Sequence, residues 1–270
     1  STWASASVAA GILAASFLLL LGKSWQLTAL TAGEERARSL GIPVDRLRLQ
    51  VFVISACLIA GAVGFIGTVA FAASGSLTAM RRHMDLLGVI VLGVITSVGG
   101  GILRDLVVGL TPPRAFQDPM YLLVALGVSV VLFFPFVRRL IGRSKRVFDA
   151  LMLLMDATGL GIFTITGMNT ATTLAGCTDP LLLVFVGLLT GTGGGVLRDV
   201  LAGDMPYILR KHIYASASIA GGILYLLLRQ VWHGPGAILT GVLVVVGIRC
   251  AAAHFEWNLP RAKTVWKSDE

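Results

Sequence analysis

Arg104–Asp105 and Arg198–Asp199 are charged pairs embedded in apolar sequence, and each follows a run of three glycines. The two copies share the pattern Gly-Gly-Gly-x-Leu-Arg-Asp, at 99–105 and 193–199. An arginine so placed can hold a carboxylate, and an aspartate can hold an ammonium group or a cation. Ionised groups at membrane depth are costly unless paired or hydrated, which makes them functional candidates. The pairs could instead join across the copies, Arg104 with Asp199 and Arg198 with Asp105, or form structural ion pairs at span ends. Gly99, Gly100, Gly101, Gly193, Gly194 and Gly195 each cost on the order of 1 kcal/mol against alanine in a helix. They also bare the backbone, which a bilayer tolerates only inside protein or beside a water-filled cavity. The expectation is that both helices unwind at these glycines and line a midplane solute site. The alternative is that the glycines serve close helix packing.

Other candidates surround the motif. Asp156 reads as a helix-start acid at the interface or as a pore group. Ser74, Thr166 and Thr170 could line a pathway, or bond back to their own backbone as hydroxyls in membrane helices do. Phe71 and Phe163 could gate the pathway or pack symmetrically. His83, His212, His233 and His254 show no ligand spacing, and Cys57, Cys177 and Cys250 imply neither a disulfide framework nor a metal site. The glycine runs lack the Gly-Lys-Ser/Thr of a phosphate loop. No nucleophile and base stand together, so no enzyme activity and no cofactor are expected.

The elements that must position these groups are membrane helices. Of 270 residues, 56% are hydrophobic and 13% charged, where a soluble domain carries roughly 25% charged residues. Apolar spans fall at about 4–21, 50–79, 86–110, 119–137, 149–174, 180–203, 211–228 and 236–255, many near the ~20 residues that cross a bilayer. The connection 22–49 is long and amphipathic. Pro112 and Pro206 are expected to end the two broken helices. The net charge of +8 comes from basic residues in short loops, which orient membrane proteins; nucleic acid is not an expected partner. The chain begins at Ser1 without a methionine and is expected to be a fragment or a processed chain.

The sequence is duplicated. Thr96, Gly99, Gly100, Gly101, Leu103, Arg104, Asp105, Gly109 and Pro112 recur, at identical spacing, as Thr190, Gly193, Gly194, Gly195, Leu197, Arg198, Asp199, Gly203 and Pro206. Upstream, Gly67, Phe71 and Gly75 recur as Gly159, Phe163 and Gly167, and Asp85 recurs as Asp179. Each copy holds three spans, and an odd count inverts the second copy in the membrane. The expected fold is all-α: two inverted three-helix repeats, about 67–137 and 153–228, and a seventh helix at about 236–255. Before this core stand an extra N-terminal helix and the amphipathic loop. Arg81, Arg82, Arg138, Arg139, Arg143, Lys145 and Arg146 mark one side of this core as cytoplasmic.

The segments 67–75 and 85–88, the doubled motif with Pro112 and Pro113, and Trp257-Asn-Leu-Pro260 carry a resemblance. Residues from about 67 to 270 resemble the bacterial glycine transporter family, a distant relative of the trimeric intracellular cation channels. The resemblance implies seven helices in the bacterial inner membrane, passage of glycine or a monovalent cation, and a homo-oligomer, a trimer by analogy. Leu27 to Pro43, Arg46-Leu-Arg48 and the segment 60–67 are similar to permeases of iron-siderophore and cobalamin importers. That second resemblance covers about 1–66 and implies a cytoplasmic surface that meets an ATPase subunit.

The two parts conflict in topology. If 50–79 is one helix, the basic loop 22–49 lies opposite Arg81 and Arg82. Either the first span does not cross, or 50–79 forms more than one membrane element, or the fusion is a gene-level accident. The leading expectation is passage of a small solute, glycine or a monovalent cation, across the bilayer through the duplicated core. The alternatives are a ferric-siderophore importer permease and a non-transporting membrane scaffold.

Overall fold

A computed structural model of the chain describes residues 22, 26, 39–40, 43–137, 144–210, 213–231 and 235–257. The expected first span, most of the 22–49 connection and the tail beyond Pro260 lie outside these residues. The described chain is helical: α1 (Val44–Arg81), α2 (Leu86–Val107), α3 (Arg114–Gln117), α4 (Met120–Phe133), α5 (Lys145–Leu174), α6 (Pro180–Leu201), α7 (Tyr207–Arg210), α8 (Ile213–Val231) and α9 (Pro235–His254).

Like sequences end these helices in like ways. Asp85 caps α2 by accepting the Gly88 N–H at 2.8 Å, and Asp179 caps α6 by accepting the Leu182 N–H at 2.8 Å. Such caps satisfy amides that have no intrahelical partner. At the far ends, Gly109 and Gly203 adopt φ of 76° and 70°. The Leu110 and Asp204 N–H groups then reach back to the Asp105 and Asp199 carbonyls, each at 2.8 Å. This left-handed stop favours glycine. Gly109 and Gly203, rather than Pro112 and Pro206, therefore end the motif helices.

The packing repeats as well. α1, α2 and α4 pack on one another, as do α5, α6 and α8. The halves meet through α1 on α5 and α2 on α6, while α9 joins α5 and α8. A Ser76–Ser129 hydroxyl bond of 2.9 Å ties α1 to α4. Thr164 and Ser218, 2.7 Å apart, tie α5 to α8. Outward faces are apolar: Leu181, Phe136 and Val231 are 79–87% exposed, as suits contact with lipid.

Five helices among the described residues are long and apolar enough to cross a membrane: 63–81 of α1, then α2, α5, α6 and 236–254 of α9. The 119–137 span is shorter than expected. α4 ends at Phe133, and Phe134 turns extended (ψ 136°) ahead of Pro135, which disfavours helical geometry in the residue before it. The 50–79 span belongs to one unbroken helix of 38 residues. At ~1.5 Å per residue α1 is roughly 57 Å long, more than the full ~40–45 Å bilayer. Residues 44–49 are thus helical rather than part of a loop.

Candidate functional site

The glycine triplets lie inside α2 and α6, and both helices run through them unbroken. This overturns the expected unwinding, and the physical reason is visible at the crossing. A Cβ on Gly100 would collide with the Thr190 carbonyl oxygen, and one on Gly194 with the Thr96 carbonyl oxygen. A Cβ on Gly99 would lie 2.5 Å from Leu197, and one on Gly193 would lie 3.0 Å from Leu103. Residue numbers rise along one helix as they fall along the other, so α2 and α6 cross antiparallel, backbone against backbone. Dispersion contacts between small-residue faces favour such a crossing in a membrane, and every helical backbone bond stays intact. Gly100 and Gly194 thus serve close packing.

Phe71 and Phe163 sit beside this crossing with ring centroids 5.1 Å apart. Each fills the space beside the other half's glycine: Phe71 against Gly159, Phe163 against Gly67.

The arginines lie four residues beyond the crossing on opposite arms. At ~1.5 Å per residue they stand roughly 12 Å apart along the helices, so the cross-pairs, one of the alternatives the sequence leaves open, do not form. Arg104 Nε donates to Asp105 Oδ1 at 2.8 Å, and Arg198 Nε donates to Asp199 Oδ1 at 2.8 Å. The second oxygen of each aspartate accepts a backbone N–H from the next short helix. Arg114 N–H donates to Asp105 Oδ2 at 2.8 Å, and Tyr207 N–H to Asp199 Oδ2 at 2.8 Å. Each aspartate therefore fixes its arginine and the start of α3 or α7 together.

In the second half the site is dense. Arg198 is 1% exposed. Its Nη1 lies 2.7 Å from Asp156 Oδ1 and also donates to Ser74 Oγ of the first half. Asp156 is buried and stands inside α5, eleven positions beyond its start at Lys145, so it is not a helix-start acid. Tyr214 OH donates to Asp156 Oδ1 at 3.4 Å. Arg249 Nη2 is 3.6 Å from Asp156 Oδ2, and its guanidinium stacks 4.7 Å over the Tyr214 ring. Among the described residues, the buried Arg198 Nη2 and Arg249 Nε have no hydrogen-bond partner. Both arginines, Asp156 and Tyr207 line a cavity of about 550 Å³, with Arg81, Lys145 and Asp149 at its rim.

In the first half the site is more open. A cavity of about 220 Å³ is lined by Gly64, Ser97, Gly101, Arg104, Asp105, Arg114, Asp118, Tyr121, Phe163, Thr166, Asn169 and Thr170 among others. That volume is far above the ~10–15 Å³ a water needs. Thr166 lines it while its hydroxyl bonds back to the Ile162 carbonyl at 2.8 Å. A Cβ on Gly101 would lie 3.8 Å from Arg104 Nη2, and one on Gly195 would lie 2.9 Å from the Tyr214 hydroxyl and 3.8 Å from Arg198 Nη2. Among the described residues no cluster of histidine, cysteine, aspartate or glutamate could hold a metal.

Sequence reasoning missed Arg249, Tyr214 and Tyr121. Arg249 carried a signal, as the only Asp, Glu, Lys or Arg within the 236–255 span. The tyrosines carried none, being ordinary at helix starts.

Two like halves, joined at a glycine crossing and flanked by polar cavities inside an apolar exterior, define a multi-pass membrane protein of the transport class. The glycine transporter family matches residues 62–136 and again 153–230, one match per half; the chain belongs to this family. The inner membrane protein YadS of Escherichia coli K12 is 39% identical over 197 residues, 72% of this chain and 92% of that relative. A membrane protein of Deinococcus radiodurans is 41% identical over 197 residues, covering 72% and 88%. Solved structures of TRIC cation channels share the fold. One superposes with a TM-score of 0.66 at 33% identity, covering 76% of this chain and 98% of that one. A prokaryotic TRIC channel gives 0.67 at 31%, covering 75% and 99%. The trimeric channel orthologue of Rhodobacter sphaeroides gives 0.66 at 34%, covering 74% and 99%. The chain is thus a multi-pass protein of the bacterial inner membrane. The FecCD transport family matches residues 1–74. An ABC transporter permease of Methanocaldococcus jannaschii is 33% identical over 69 residues, only 20% of that permease.

Proposed function

We propose that the chain carries glycine across the bacterial inner membrane through the duplicated core. The observation that carries the reading is the pair of polar cavities on opposite arms of the α2–α6 crossing, each holding one motif arginine. The 550 Å³ cavity, rimmed by Arg81 and Lys145, faces the cytoplasm by the rule that basic residues stay inside. The 220 Å³ cavity then faces outward. The Phe71–Phe163 pair and the Gly100–Gly194 contact separate them, so the halves are inverted about an axis in the membrane plane. A zwitterion suits walls that carry both arginine and aspartate. The buried, incompletely paired Arg198 and Arg249 beside a cavity argue against a purely structural scaffold. By likeness to the trimeric neighbour, the chain assembles as a homotrimer.

A second reading, conduction of a monovalent cation, is favoured by the likeness to cation channels. An importer permease is not favoured, because the matching segment spans a fifth of its permease relative.

The test is flux in liposomes containing the purified full chain, with radiolabelled glycine and with K⁺ as separate cargoes. Saturable glycine uptake supports the first reading, and K⁺ flux alone supports the second. Sealed liposomes for both cargoes end the transport reading.

A further inference from the structure

Besides Arg249, which α9 gives to the second half alone, one difference between the halves removes a carboxylate from an arginine. Gly67, Phe71 and Gly75 correspond to Gly159, Phe163 and Gly167, and the same register sets Gly64 against Asp156. In the second half the Asp156 carboxylate lies between Arg198 Nη1 at 2.7 Å and the Tyr214 hydroxyl at 3.4 Å. In the first half the donors are present and the acceptor is not. Arg104 lines the cavity beside Gly64, and the Tyr121 hydroxyl lies 3.2 Å from where a Gly64 side chain would begin. Among the described residues Asp105 is the sole carboxylate on Arg104, whereas Arg198 has both Asp156 and Asp199. Gly64 falls within 62–74, where the two family matches overlap.

We infer that the cavity at Gly64 binds the carboxylate of a small solute, held by Arg104 and Tyr121 in the place that Asp156 fills in the other half. A buried guanidinium in a low-dielectric setting favours an ionised acceptor, and a geometry that already seats one carboxylate in its twin is preorganised to seat another. Ser97, Thr166 and Asn169 supply further polar groups on the same walls. Asp118, which also lines the cavity, offers a partner for an ammonium group, so a small amino acid matches both ends. The inference deepens the transport reading by assigning the ligand chemistry of one cavity.

Equilibrium binding of radiolabelled glycine to the detergent-purified full chain tests it, with formate, methylammonium and KCl as competitors. Glycine should bind and formate should displace it, while methylammonium and KCl at equal ionic strength should not. Gly64→Asp places a tethered carboxylate beside Arg104 and should weaken glycine binding at least ten-fold, and Arg104→Gln should weaken it similarly. Should Gly64→Asp fail to fold, Arg104→Gln and the competition series decide alone. Absence of binding by the unaltered chain overturns the site. So does unchanged binding in either folded variant, or displacement by methylammonium but not formate. Formate-sensitive binding without flux retains the site and removes the transport reading; glycine flux that formate does not inhibit does the reverse.

Discussion

Asp156 Oδ1 stands 2.7 Å from Arg198 Nη1 in a site where Arg198 is 1% exposed. The same carboxylate faces Arg249 and Tyr214. One acid thus balances two buried guanidinium groups with help from Asp199. Removing one partner of a buried pair costs about 3–5 kcal/mol, because the charge left behind stays desolvated. Asp156→Ala should therefore lower the thermal midpoint of the detergent-solubilised protein more than any other single acidic substitution. Differential scanning fluorimetry across the acidic residues checks the ranking.

The rim pairs should behave differently. Arg81 and Asp149 meet at 2.9 Å with both side chains 48% exposed, and Arg82 pairs with Asp204 on the same surface. Exposed pairs contribute about 0–1 kcal/mol and are screened by salt. Asp149→Asn should leave the melting curve nearly unchanged, and raising salt should erase any difference that remains.

Motif glycines should divide by what they touch. Gly194→Ala drives a methyl group into the Thr96 carbonyl, while a methyl at Gly101 meets nothing nearer than an arginine Nη2 at 3.8 Å. Overpacking of this kind costs about 1–3 kcal/mol, and more against backbone that cannot move. Gly194→Ala should cut the yield of monodisperse protein on size exclusion; Gly101→Ala should not.

Phe71 and Phe163 make a paired test. Phe71 is 1% exposed, so Phe71→Ala should cost about 3–5 kcal/mol. If the ring pair also separates the two cavities, Phe163→Ala should raise passive glycine leak through liposomes at least several-fold. A stability loss without added leak would assign the pair to packing alone.

Much of this architecture was legible because it was written twice. The doubled motif, the recurrence of Asp85 as Asp179 and the paired glycines marked the equivalence of the two halves in the sequence alone. What misled was the reading of three glycines as a break. Glycine propensity describes a helix in water, whereas Gly100 and Gly194 gain a close neighbour that no side chain would allow. The partners of Arg104 and Arg198 stayed open for a related reason. An antiparallel crossing carries residues beyond its centre apart, and spacing along the chain cannot report the direction of a partner helix. Of the two readings of Asp156, the helix-start acid gives way because its helix begins earlier than the apolar stretch, at Lys145, so an apparent start was an interior. The charged group on α9 was visible as an isolated Arg249, but its partners came from α5 and α8, which sequence order does not bring together.

At Gly100 and Gly194 the two helices touch without interlocked side chains. A change in their angle there is resisted mainly by Leu197 on Gly99 and Leu103 on Gly193, one leucine on each side of the contact. Each helix is then a lever on a central fulcrum, with Arg104 on one arm and Arg198 on the opposite one. On the proposed transport reading, a change of a few degrees at that contact moves both arms together, so the two mouths respond to one motion without either helix having to melt.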